Sequence, residues 1–281
     1  MTTVLVTGAT GNVGRVVVRE LVRSGARVRA LTRDPSAAAL PAGVDLVRGD
    51  LTDPEGLPLR GVDRIYLFPV PETAREVVAR AAEAGVRRIV TLSSGAVTAG
   101  LDSGFHLPVE QAVEDSGLEW THVRAGEFAL NKLFMWGPSI RDSDAIWDPF
   151  PDSPGCPMHE ADIAEVAVKA LLDNEHVGRA YTLTGPRVLT SREQAAQIAR
   201  ARGRDVRFLD VTREQALAHY ERQGGWAAAM ARFMLGFESY SGGEPEPVEV
   251  ELAPLPTVEQ VLGKPARTFA QWAQDHAGGF R

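Results

Sequence analysis

Cysteine occurs once in the 281 residues, at Cys156, so an internal disulfide is excluded. A lone Cys in the Pro-rich stretch PDSPGCP reads as incidental rather than nucleophilic. Lysine is almost as scarce: Lys132, Lys169 and Lys264 stand against 27 arginines, a bias of genome composition that says little about function. No apolar run reaches the ~20 residues that span a bilayer, and no charged-then-apolar leader precedes the first strand. A cytoplasmic location without a membrane partner is therefore expected. A net charge of −7 and a pI near 5.5 argue against a nucleic-acid surface. His159, Glu160 and Asp162 open a helix, where acids are routine caps, and no second His or Cys cluster supports them, so no metal is expected. There is no internal repeat. What remains is a chain long enough to bury one large core, or a core plus a lobe.

Residues 1–35 read as one complete β-α-β unit. A Val- and Leu-rich strand over 3–7 runs into the turn TGATGNVG, followed by an apolar-periodic helix to Ser24, a stop at Gly25 and a second strand from Arg27 to Leu31. Gly8 permits the tight turn off the strand, Gly11 lets backbone amides approach a pyrophosphate, and Gly14 lets the helix pack on the sheet. Thr10, Asn12 and Val13 complete the phosphate-binding turn, with the phosphates at the positive end of the helix.

Strands and helices go on alternating as a doubly wound parallel sheet requires. Further strands are predicted over 44–48, 62–68, 87–92, 119–124 and 180–184, and helices over 71–84, 109–116, 160–172 and 191–202. The expected architecture is an α/β Rossmann fold with a smaller C-terminal substrate lobe. The Rossmann domain takes 1–130, with 159–185 returning to it, and the lobe takes 131–158 and 186–281. The Pro-, Asp- and Ser-dense segment 136–157 reads as a long loop, a lid or pocket wall. Residues 214–240 carry Met230, Phe233, Met234, Leu235 and Phe237 at near-helical spacing, as in a core-facing helix of the lobe, and an acidic hinge-like stretch follows over 241–254.

The spacing G-x-x-G-x-x-G, together with GDLTDPEGL, VRRIVTLSS, SGLEWTHVRAGEFALN, HEADIAEVAVKALLD and YTLTGPRVLTSREQAAQIA, resembles the NmrA-like atypical short-chain dehydrogenase family over most of the first 200 residues. The last 80 match only loosely. At the end of the second strand, where NAD enzymes place a carboxylate, this chain has Thr32 and Arg33. A guanidinium suits a 2′-phosphate, which favours NADP(H), while Arg33 as a solvated surface charge is the alternative. Asp34 precedes Pro35 and is expected to cap the next short helix. The resemblance implies that Asp50 and Leu51 border the adenine and that Phe68 and Pro69 line the adenosine side. In Arg124-Ala125-Gly126-Glu127-Phe128, it implies that Gly126 and Phe128 pass the nicotinamide amide, with Ala125 departing from the usual Pro.

Main-line members use a Ser at the end of the fifth strand and a Tyr-x-x-x-Lys pair. Ser93 and Ser94 are available, with Ser93 also beside the cofactor, but none of the four tyrosines begins such a pair. His106 and Glu110 stand four apart where Tyr and Lys are expected. A carboxylate there cannot lower a phenol pKa, so His106, placed on a loop just before a helix opening at Pro108, is the candidate proton carrier. Glu110 falls in the first turn and complements the helix dipole. His122 reads as a structural histidine sharing a strand face with Trp120 and Arg124. Phe134, Trp136 and Trp147, with Phe150, would suit a flat aromatic substrate.

Two functions fit. One is an NADPH-dependent oxidoreductase of quinone-like or aromatic polyketide-type molecules; the resemblance extends to enzymes that tailor antibiotic-type polyketides, including monooxygenases. The other is an NADP(H)-sensing regulatory protein with a protein partner.

Overall fold

The computed structural model describes residues 2–240, 242–243 and 252–281. Most of the acidic stretch expected to be a hinge lies outside them. The chain forms two compact units, Met1–Ala125 with Glu160–Leu183 and Thr257–Lys264, and Gly126–His159 with Thr184–Pro256 and Pro265–Arg281. Thr257–Lys264, expected in the lobe, belongs to the first unit.

In the first unit, β1 (Thr3–Val6), β2 (Arg27–Thr32), β3 (Asp45–Arg48), β4 (Arg64–Leu67), β5 (Arg88–Ser94) and β6 (Glu119–Ala125) follow one another. After β7 (Ala145–Asp148) and β8 (Pro154–Gly155), which lie in the second unit, β9 (Arg179–Leu183) completes the sheet. Its order is β3-β2-β1-β4-β5-β6-β9, all parallel. That is the doubly wound Rossmann arrangement. Strands covered on both faces need continuous apolar runs, and β1 is buried along its whole length, as is β5 up to Ser94.

The connecting helices are α1 (Gly14–Arg23), α2 (Ala74–Glu83), the short α3 (Gly95–Thr98) and α4 (His106–Glu114), then α5 (Leu130–Ser143) in the second unit and α6 (Glu160–Leu172) in the first. The α1 helix buries Val16, Val17, Val18 and Leu21 against the sheet. At the opposite end of the sheet from the Gly-rich turn, the completely buried Arg88 donates to the carbonyls of Ala170 (3.1 Å) and Asp173 (2.6 Å), to Asn174 Oδ1 (2.7 Å) and to Glu119 (2.8 Å). Arg64 donates to the Leu171 and Leu172 carbonyls. Two cations thus satisfy the last carbonyls of α6, which no intrahelical donor can reach, and answer the negative end of its dipole.

The second unit packs α5, α7 (Ser191–Arg202), α8 (Arg213–Gln223) and α9 (Gly225–Met234) with α11 (Phe269–Asp275), which follows α10 (Thr257–Leu262) of the first unit. Two small sheets complete it, β10 (Leu189–Thr190) on β8 and β11 (Arg207–Asp210) on β7. Trp136, Ile140, Ile146, Tyr220, Trp272 and Phe280 form its core. Segment 136–157 is therefore not the long loop expected. The helix α5 runs through Pro138, which cannot donate to the Phe134 carbonyl, and Gln223 Nε2 of α8 fills the gap by donating to the carbonyls of Phe134 and Met135, both at 3.2 Å. It ends at Asp144 in the left-handed region (φ 52°), where Arg202 pairs with the carboxylate at 2.7 Å. The 214–240 segment is two helices broken at Gly224 (φ 75°), and the buried face of α9 is Ala227 and Ala231 rather than its larger residues.

Arg88→Met should lower unfolding free energy by about 3 kcal/mol, since several charge-assisted bonds in a dry site are lost together. Urea denaturation checks this, and a loss within scatter would show that α6 is held without Arg88.

Candidate functional site

The Gly-rich turn is built by close approach. A Cβ on Gly14 would fall well inside contact distance of the Gly8 carbonyl oxygen and at 3.1 Å from Ala9 Cα; one on Gly11 would sit 3.0 Å from the same oxygen. Gly8 itself has φ +57° and faces Phe68, whose ring a Cβ would meet at 3.3 Å. The Gly11 N–H donates to the Gly8 carbonyl at 2.9 Å, closing the turn. The α1 helix starts with no side-chain cap and no acid in its first turn, so none of its own first-turn carboxylates answers the positive end of its dipole. Arg15 braces the turn from outside by donating to the Thr10 and Gly11 carbonyls (2.6 and 3.2 Å).

A cleft of about 490 Å³ opens beside this turn and brings together Gly8, Thr10, Gly11, Arg33, Asp50, Leu51 and Phe68. Asn12, Val13, Gly14, Pro69 and Ser93 do not line it. Val13, Gly14, Pro69 and Ser93 are buried, and Gly126 and Phe128 belong to the second unit. Arg33 is exposed and has no ion-pair partner among the described residues. Asp34 also lines the cleft, but its Oδ1 is engaged, accepting from the Ser36 N–H (3.0 Å) and hydroxyl (2.5 Å) as the cap of the short helix at Pro35. The Asp50 carboxyl is held below its ordinary value by the Thr52 N–H, with a further contribution from the Arg33 charge.

At the ends of β5 and β6 the structure holds a buried charge pair. Glu110, expected in a first turn against the helix dipole, is the fifth residue of α4 and is only 1% exposed. Arg124 donates to both of its oxygens (2.9 and 2.6 Å) and Ser93 Oγ to one (2.5 Å). Burial pushes the Glu110 carboxyl up, but the Arg124 and Ser93 bonds outweigh it and hold it below its ordinary value. The Ser94 hydroxyl accepts from the Ala96 N–H and caps α3. His106 does not lie on a loop: it is the first residue of α4. The cause is Asp102, fully buried, whose carboxylate accepts from the N–H groups of Phe105 (2.9 Å) and His106 (3.1 Å), starting the helix two residues before Pro108. The other Asp102 oxygen meets His106 Nδ1 at 2.5 Å. His122 is buried between Thr91 Oγ1 (2.7 Å) and Glu114, stacked on Trp120, and burial lowers its pKa.

Phe134, Trp136 and Trp147 do not meet. Phe134 and Trp136 are two apart on a helix and point to different faces. Phe134 lies against Trp226 (5.2 Å), while Trp147 stacks on His219 (4.9 Å). Trp136 is buried with Nε1 donating to Asp148 and lines a second pocket, with Phe150 at its wall. Asp102 is the residue that the sequence reading missed. Its i, i+4 spacing to His106 was the available signal. Cys156 is buried.

Comparison with known proteins gives a consistent picture. A model of the NmrA-like family matches residues 1–266. The (4-alkanoyl-5-oxo-2,5-dihydrofuran-3-yl)methyl phosphate reductase of Streptomyces griseus is 38% identical, over 99% of both chains. The NAD(P)H azoreductase of Xenophilus azovorans is 36% identical, again over 99% of both. Among solved structures, an NADPH-dependent quinone oxidoreductase of Escherichia coli matches with a TM-score of 0.76 at 25% identity, covering 97% of this chain and 98% of that one.

A carboxyl held below its unfolded value of about 4.3 stabilises the fold fully above that pH and loses the contribution as pH falls through the lower folded value. Glu110→Gln should therefore be less stable than the parent near neutrality by about 3 kcal/mol, with the gap closing as pH falls below the unfolded value. Urea midpoints across that range check the prediction, and a gap independent of pH would contradict it.

Proposed function

The chain belongs to the NmrA-like family, and from that premise we propose that it is an NADP(H)-dependent oxidoreductase of flat, conjugated small molecules, quinones and aromatic polyketide-type rings among them. The observation that carries the reading is the cleft in which Gly8, Thr10 and Gly11 of the glycine turn and the Arg33 guanidinium, without an ion-pair partner among the described residues, face one space. These residues fit the nucleotide. The turn from Gly8 to Gly14, with Thr10, Asn12 and Val13, suits the pyrophosphate, and Arg33 a 2′-phosphate. Asp50 and Leu51 suit the adenine and Phe68 and Pro69 the adenosine side, while Ser93, Gly126 and Phe128 are assigned to the nicotinamide half.

The reduced nucleotide supplies a hydride when bound. The chain must then handle one proton, and two of the candidates are already committed: Ser93 Oγ to Glu110 and Ser94 Oγ to a helix cap. We assign the proton to His106, whose ring Asp102 orients through Nδ1. The relatives named as furanone phosphate, azo and quinone reductases support this class of acceptor.

NADPH should bind at least roughly tenfold more tightly than NADH in calorimetric titration, about 1.4 kcal/mol, and Arg33→Ala should remove most of that gap. Equal affinities in the parent would sink the assignment to NADP(H). With a quinone acceptor, His106→Ala should lower turnover by roughly 10² to 10⁴ while nucleotide affinity changes little. A fall under tenfold would reduce His106 to a pocket wall. Tight NADPH binding with no oxidation across a panel of quinones and aromatic ketones would favour the regulatory reading instead.

A further inference from the structure

Four polar side chains of the second unit, Arg187, Gln197, Arg200 and Gln274, line one cavity of about 340 Å³ and make no hydrogen bond or ion pair among the described residues. Three segments bring them there. The Gly185 N–H donates to the Cys156 carbonyl at 3.0 Å, and a Cβ on Gly185 would fall well inside contact distance of the Pro157 carbonyl oxygen. The loop after β9 therefore lies close on Pro157 and delivers Pro186 and Arg187 to the cavity. Thr190 and Glu193 cap α7 reciprocally, which fixes where the helix begins and sets Gln197, Arg200 and Ala201 on one face at i, i+3 and i+4. Ala270 and Gln274, four apart on α11, line the same space. Arg187, Arg200 and Gln274 are exposed and Gln197 is half-buried, so a solute can reach all four.

We propose that this cavity binds a phosphate monoester of a small apolar alcohol, with the phosphate held between Arg187 and Arg200. Two guanidiniums face one space with no acid in its lining, and the match for two uncompensated positive charges is a dianion whose oxygens accept from both forks at once. Elsewhere in this unit the chain supplies the counter-charge itself: Arg192 faces Asp152 and Asp210, Arg202 and Arg204 share Asp144, and Arg232 holds Glu238. A carboxylate, with one charge, leaves one of the two guanidiniums unanswered. Gln197 and Gln274 add amide donors for the remaining oxygens. Pro186, Ala201 and Ala270 give the alcohol part a small apolar wall. The volume lies near the roughly 300 Å³ lower bound of small-molecule sites, which admits a phosphate with a single ring and excludes a dinucleotide. The cavity shares no residue with the glycine-turn cleft, and the proposal does not depend on the oxidoreductase reading.

Calorimetric titration of the full chain with phenyl phosphate, benzoate, phenol and inorganic phosphate tests the proposal. Phenyl phosphate should bind more tightly than each of the other three by roughly tenfold or more. Arg187→Gln and Arg200→Gln should each weaken it by a similar factor, with urea midpoints unchanged because neither side chain bonds to the described chain. Arg222→Gln, at an exposed arginine outside the cavity, should leave the affinity as it was. Arg33→Ala should do the same, which separates this cavity from the glycine-turn cleft. No binding of phenyl phosphate, equal binding of benzoate or phenol, full affinity in the double variant Arg187→Gln with Arg200→Gln, or loss of binding in Arg33→Ala overturns the proposal. Inorganic phosphate bound as tightly as the ester overturns it too, since the cavity is then an adventitious anion site only.

Discussion

The distance between α1 and the Gly8 carbonyl governs the first unit. A single Cβ at position 14 would collide with that oxygen, so the helix can start where it does only because the residue is glycine. From this follow the placement of the helix and its start without a side-chain cap, with Val16, Val17, Val18 and Leu21 buried. The cleft beside the turn is a by-product of the same contact: Phe68 closes on Gly8 from β4, and Arg33 and Asp50 arrive from the ends of β2 and β3. A strand end, a bare turn and a helix start thus converge because parallel strands end on one side.

In the first unit, two sets of charged side chains are matched in the interior. Arg88 and Arg64 answer the carbonyl end of α6, and Arg124 answers Glu110. Glu110 stands where the resemblance puts the ammonium of main-line relatives, and its pairing with Arg124 gives it the opposite job. Two-point bonding from a guanidinium fixes a carboxylate in its ionised form and fastens α4 to β6, with Ser93 drawn in as a third member. One helical turn earlier, His106 meets its own buried partner, Asp102.

The sheet was legible because buried parallel strands must be apolar runs, and each of the seven lies within two residues of its predicted position. The Gly-rich turn beside the cleft was legible for a related reason: glycine at a turn has few tasks, and its spacing names them. Asp102 was not read because a carboxylate four residues ahead of a helix looks like any loop acid until the backbone folds onto it. Glu110 and Arg124, fourteen residues apart on different elements, carry no local pattern. The 136–157 segment failed for a definable reason. Pro138 and the Asp- and Ser-rich surroundings signal a break, and the residue that cancels the signal, Gln223, stands 85 positions later.

That arrangement has a bearing on how the protein is made. A chain leaving the ribosome exposes residues 130–143 long before Gln223 exists, so the Phe134 and Met135 carbonyls must stay hydrated until α8 is synthesised. The same order governs the first unit, whose last segment, Thr257–Lys264, emerges after most of the second. Neither unit can be finished before the other is nearly complete, and the chain matures as one product rather than as two modules released in turn.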